Sequence, residues 1–152
     1  AGFANLERHD LVACLDASPE TYASIKSLAG AFPDIVISLD HAGFPRQRDD
    51  EYLAMWKREL ADLAEAPNVV IKISGLGMCD NDWTVASFRP WVLTCIETFG
   101  VERSFFGTNW PVDRLYSSYG DVVDAYAQII SGFSRDEQVA LFSGNAERIF
   151  RI

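Results

Sequence analysis

"DIVISLDHAGFPRQRDDEYLAMWKRELADLAEAPNVVIKISGLG" (residues 34–77) passes from a short apolar run into a polar loop, then an amphipathic stretch, then a second apolar run rich in β-branched residues. The runs at 34–43 and 68–77 are nearly continuous in apolar character, as strands buried on both faces are. Between them Leu53, Trp56, Leu60 and Leu63 recur on one helical stripe. Strands of this kind alternating with amphipathic helices argue for a parallel sheet covered by helices.

The same unit recurs on either side. "LVACLDAS" (11–18) is a further apolar run, after which Tyr22, Ile25, Leu28, Ala29 and Phe32 follow at helical spacing, with Ser18 as the expected cap and Pro19 at the first helical position. Downstream of residue 77, a loop with Asp80, Asn81 and Asp82 leads to a helix holding Phe88, Trp91, Val92, Cys95, Ile96 and Phe99, closed by Gly100. "SFFGTNWP" (104–111) is the fourth strand; a helix in "GDVVDAYAQIISGF" and two short helices around "RDEQVALFSG" and "NAERIFRI" complete the chain. At the start, "AGFANLERHD" reads as the end of a helix, with Phe3 and Leu6 on one face, so a preceding portion is expected.

Residues 1–152 are thus expected to form a single domain of four βα units, within the usual size of about 100–200 residues. Two architectures accommodate them, a small open doubly wound sheet or half of a (β/α)8 barrel, whose eight units take roughly 250 residues. No glycine-rich phosphate loop follows any strand, which weighs against a nucleotide-binding open sheet. The four units by themselves do not decide between the two, and the helix end that opens the chain favours the half barrel, so the expected fold class is α/β, half of a (β/α)8 barrel.

Charge and cysteine content bound the partners. A net charge of −9 and a pI near 4.6 argue against nucleic-acid and anionic-membrane surfaces, which need clustered Lys and Arg. Cys14, Cys79 and Cys95 are odd in number and far apart, suggesting neither a disulfide framework nor a zinc-ligand set, and a reducing cytoplasm is the expected location. No apolar stretch approaches the ~20 residues that span a bilayer.

In parallel α/β folds ligands bind beyond the C-terminal strand ends. Those ends carry Asp16 and Ser18, then Asp40, His41 and Gly43, then Lys72, Ser74 and Gly75, and last Thr108, Asn109 and Trp110. Strand alternation places His41 with Ile37 and Leu39, Lys72 with Val70 and Ser74, Asn109 with Phe105 and Gly107, and Asp16 with Val12 and Cys14. With those faces inward, His41, Lys72, Ser74 and Asn109 converge at one mouth, and Asp40 points into the helix layer.

The segments "LDHAGFP", "NVVIKISGL", "FFGTNWPVD" and "NAERIF", in this order, resemble conserved segments of the amidohydrolase-related family of TIM-barrel hydrolases, which includes sugar-lactone and pyrone-dicarboxylate lactonases. The resemblance runs from Leu11 to Arg151 and implies strands five to eight of the barrel, a small-molecule substrate such as a lactone or cyclic ester, and a divalent metal, zinc or manganese, in some relatives. It makes His41 the counterpart of a metal ligand or substrate contact. It makes Asn109 the counterpart of an aspartate that takes a proton from the attacking water.

An amide cannot serve as that base, though it can donate to a carbonyl or orient a water. Asp16 is the better of the two nearby acids to replace it by strand logic. Lys72 suits a substrate carboxylate or an internal ion pair equally well, the latter with Asp16 across the barrel. Ser74 serves the substrate or only the turn beside Gly75; Arg46 and Arg48 clamp a carboxylate or are solvated; Trp110 stacks on a ring or plugs the barrel top. His9 and an ion-paired Arg148 read as structural. A non-catalytic or binding-only relative stands as the alternative, motivated by Asn109. A half barrel exposes two sheet edges and an apolar interior, so it is expected to need its N-terminal half or a second copy, as in a homo-oligomer, and to be inactive alone.

Overall fold

The fold is that of a computed structural model describing residues 2–152. Four strands, β1 (Ala13–Leu15), β2 (Ile37–Leu39), β3 (Val69–Ile73) and β4 (Ser104–Phe106), pair in parallel in the order β1-β2-β3-β4. Seven α-helices are described: α1 (Asn5–Arg8), α2 (Tyr22–Ala31), α3 (Asp50–Ala64), α4 (Val85–Phe99), α5 (Tyr119–Ile129), α6 (Arg135–Val139) and α7 (Asn145–Phe150). The first three strands are each followed by a helix that returns the chain, and α5 follows β4. The hydrogen-bonded strands are shorter than the apolar runs that contain them. Among the described residues, no helix is long and apolar enough to cross a membrane.

Two layers of apolar contact hold the sheet. Ala13, Ile37, Leu39, Val69, Ile71, Ile73 and Phe106 face the helices, where Trp56, Leu60 and Leu63 of α3 and Phe88, Trp91 and Cys95 of α4 meet them in the main core. The opposite face carries a smaller cluster in which Val70 and Phe105 meet Ile149 and Phe150 of α7, flanked by Val12 and Val36. Each fully buried Leu, Ile or Phe contributes roughly 1.5–3 kcal/mol, so the helix-side core supplies most of the stability. The C-terminal helix closes the N-terminal side of the inner face.

Two local expectations are corrected. Ser18 does not cap α2, because its hydroxyl donates to the ionised Glu20 carboxylate and the helix begins instead as a 3-10 turn at Pro19–Thr21. Arg148 forms no ion pair among the described residues; it donates to the Glu102 carbonyl and to Asn145 Oδ1. The two terminal helices are joined through a π turn at Ala140–Gly144. His9, exposed, ends α1.

Candidate active site at the strand ends

The inner face of the sheet is fixed by which residues the helices claim. Because Ile37 and Leu39 are fully buried in the helix-side core, the inward positions of β2 are Val36, Ser38 and Asp40. This reverses the expectation for β2. Asp40 does not enter the helix layer: it accepts from the Ser38 hydroxyl at 2.8 Å and lies 3.7 Å from Lys72 Nζ. The ion-pair partner of Lys72 is therefore Asp40, not Asp16, which stands exposed at the end of β1 beside Thr21 and Ile25.

His41 reaches the site by another route. Beyond Asp40 the chain enters a left-handed turn, with φ of 57° at His41, 53° at Ala42, 67° at Gly43 and 49° at Phe44. Alternation ends at that turn, and His41 swings onto the inner side with Nδ1 3.0 Å from the Ser74 hydroxyl. Left-handed non-glycine residues cost of order 1 kcal/mol or more each and concentrate at functional sites. Here Tyr22, buried behind the turn, holds it by donating its hydroxyl to the Gly43 carbonyl.

Glycines allow the side chains to crowd together. A Cβ on Gly75, whose φ is +62°, would lie 2.7 Å from His41 Nδ1 and 3.2 Å from Asn109 Nδ2. A Cβ on Gly107 would lie 2.9 Å from Lys72 Cε and 3.3 Å from Ser74 Cβ. So His41, Lys72, Ser74 and Asn109, from three successive βα units, meet at one mouth.

Asn109 is also left-handed, at φ 55°, and precedes the cis Trp110–Pro111 bond. Its Nδ2 donates to Asp113 Oδ1 at 2.9 Å. Asp113 was not singled out in the sequence; it is only 2% exposed, and burial pushes its carboxyl above the usual range against the opposing pull of Asn109 and His41. Its clue was a carboxylate four residues beyond an amide that stands in an acid's place.

The remaining candidates lie farther out. Arg46 is exposed with its guanidinium over the Phe44 ring, and Trp110 packs edge-on against Tyr119. Arg48 lies over Trp91 and donates to the Leu76 carbonyl. Among the described residues, no three His, Cys, Asp or Glu side chains are grouped to hold a metal. His41 offers one nitrogen, whereas a zinc site requires at least three protein ligands, so these residues do not complete a metal centre.

A family model described as amidohydrolase matches residues 1–152. The chain belongs to the amidohydrolase family. This amidohydrolase chain is 40% identical over 151 residues to the uncharacterized protein y4mH of Sinorhizobium fredii, covering 99% of this chain and 50% of that protein. It is 38% identical over 128 residues to an L-fucono-1,5-lactonase of Burkholderia multivorans, covering 75% of this chain and 42% of the lactonase. The crystal structure of a Burkholderia multivorans amidohydrolase with bound zinc superposes with a TM-score of 0.92 at 28% identity, over 99% of this chain and 56% of that one. The chain spans about half the length of the relatives it matches, and its four parallel βα units are half of a (β/α)8 barrel.

Proposed function

We propose that the full-length protein is a hydrolase that opens a lactone or related cyclic ester by attack of water at the C-terminal mouth of the barrel, with residues 1–152 supplying strands five to eight. The observation that carries this reading is the meeting of His41, Lys72, Ser74 and Asn109 at one set of strand ends. Similarity to proteins named L-fucono-1,5-lactonase supports the substrate class.

In this reading Lys72 binds a substrate oxygen and neutralises the charge that develops on the carbonyl during attack. The Ser74 hydroxyl fixes one ring nitrogen of His41 and leaves the other facing substrate. Asn109 orients the water, and Asp16 is the exposed acid at the mouth that can accept its proton. A divalent metal would take His41 as one ligand and need its other ligands from outside these residues. The two open sheet edges, at β1 and β4, are covered by the N-terminal half of the barrel or by a second copy. Three free cysteines fit a cytoplasmic setting.

Acid release from sugar 1,5-lactones by the full-length protein and by Asn109→Asp tests the proposal. Turnover by the natural protein is the expected result. No turnover by the natural protein, with activity gained by Asn109→Asp, would instead establish the binding-only reading that the amide at position 109 favours.

A further inference from the structure

Asp113 is a carboxylate almost without solvent, on the 3-10 turn Val112–Leu115 just past Asn109. A buried carboxylate is costly unless it is used. Its own turn does not use it: the Tyr116 and Ser117 amides donate to the Asp113 main-chain carbonyl, not to its side chain. Among the described residues, the one hydrogen bond to that carboxylate comes from Asn109 Nδ2. The two residues are also tied through the main chain, where Asp113 N–H donates to the Asn109 carbonyl at 3.3 Å.

An ionised carboxylate only accepts hydrogen bonds, so it selects the NH2 end of the amide and turns the oxygen end away. We propose that Asp113 is a positioning residue for the reaction inferred above. It fixes the Asn109 side chain through Nδ2, so that the amide oxygen is left free as an acceptor for the attacking water. The negative charge that an aspartate at position 109 would carry is thereby moved four residues along the chain and out of contact with substrate. Asn109 presents an oxygen there without presenting a base.

The inference rests on the hydrolase reading, so its test has one readout that needs no turnover. In full-length protein with 15N-labelled asparagine, Asn109 should show a side-chain amide proton shifted downfield and protected from exchange. That signature should disappear in Asp113→Ala. In kinetics on a sugar lactone, Asp113→Asn should lower kcat by about 10- to 100-fold with KM nearly unchanged, the range found when an orienting partner is lost. A purely structural role predicts instead a lowered stability with kcat of the folded variant unchanged.

An unchanged kcat in a folded Asp113→Asn variant, or an amide signature that survives Asp113→Ala, would overturn the proposal. If the natural protein turns over no lactone while the amide signature behaves as expected, the hydrolase reading fails and the fixed amide stands.

Discussion

Lys72 Nζ lies 3.7 Å from Asp40 Oδ2, close enough for charge pairing and too far for a hydrogen bond. Lys72 is thus held on the inner face without its donors being consumed, which suits a group that must engage a substrate oxygen. Lys72→Met should reduce kcat/KM on a lactone by about 10- to 100-fold, the equivalent of one hydrogen bond to a charged group at about 1.5–3 kcal/mol. Asp40→Asn should do less, since the amide keeps the Ser38 contact and frees Lys72. Equal losses in the two variants, measured by steady-state kinetics on full-length protein, would mean that the pair matters only as a pair.

Gly75 is the position where packing leaves least room. Its φ of +62° disfavours any side chain, and an added methyl would stand 2.7 Å from both His41 Nδ1 and Met78 Cε. Gly75→Ala should therefore lower stability by about 1–3 kcal/mol and displace the imidazole from Ser74. The expected outcome is a lowered urea midpoint and a loss of lactone turnover beyond what the stability change explains. Wild-type turnover in this variant would show that the contact between His41 and Ser74 is dispensable.

The buried Asp113 carboxyl gives the protein a pH signature. Burial raises its folded pKa above the ordinary value near 3.8. The stabilisation associated with the raised pKa is present in full below the unfolded value and is lost as pH rises through the folded one. Where the carboxyl ionises in the folded protein the native state carries the cost of a buried charge, which Asp113→Asn removes. Thermal unfolding should place the Tm of Asp113→Asn at or above that of the natural protein at pH 7, with the difference shrinking toward zero below about pH 4. A Tm that falls at pH 7 would indicate that the charge itself stabilises the turn.

What the sequence disclosed and what it hid follow from the range of the forces involved. The βα alternation was legible because burial imposes periods of two and 3.6 on whole segments, and Trp56, Leu60 and Leu63 obey them. Lys72 and Ser74 were placed correctly because β3 stays regular through Ile73. Asp40 was misplaced because alternation was counted back from His41, across a left-handed turn that no residue pattern announced. Asp113 escaped because its burial depends on how the Pro111 turn packs, a tertiary fact. The Ser18 cap failed to a competing local acceptor, Glu20.

Tyr22 links the helix layer to the site, and the last prediction concerns that link. Its hydroxyl donates to the Gly43 carbonyl within the turn that carries His41, and a methyl on Gly43 would fall 1.9 Å from the Tyr22 oxygen. Burial pushes the phenol well above its usual range, so the donor stays protonated at any pH at which the protein is assayed. Tyr22→Phe leaves a buried carbonyl without its partner, which costs about 1–3 kcal/mol, and removes the restraint on a run of residues whose backbone is unfavourable in isolation. Activity should fall by roughly 10-fold with the fold retained, because His41 then samples positions away from Ser74 and a misplaced group loses rate steeply. Lowered stability with unchanged kcat and KM would mean that the turn keeps its shape without Tyr22, and that the contacts of the Gly43 and Phe44 amides with the Asp40 and His41 carbonyls are sufficient.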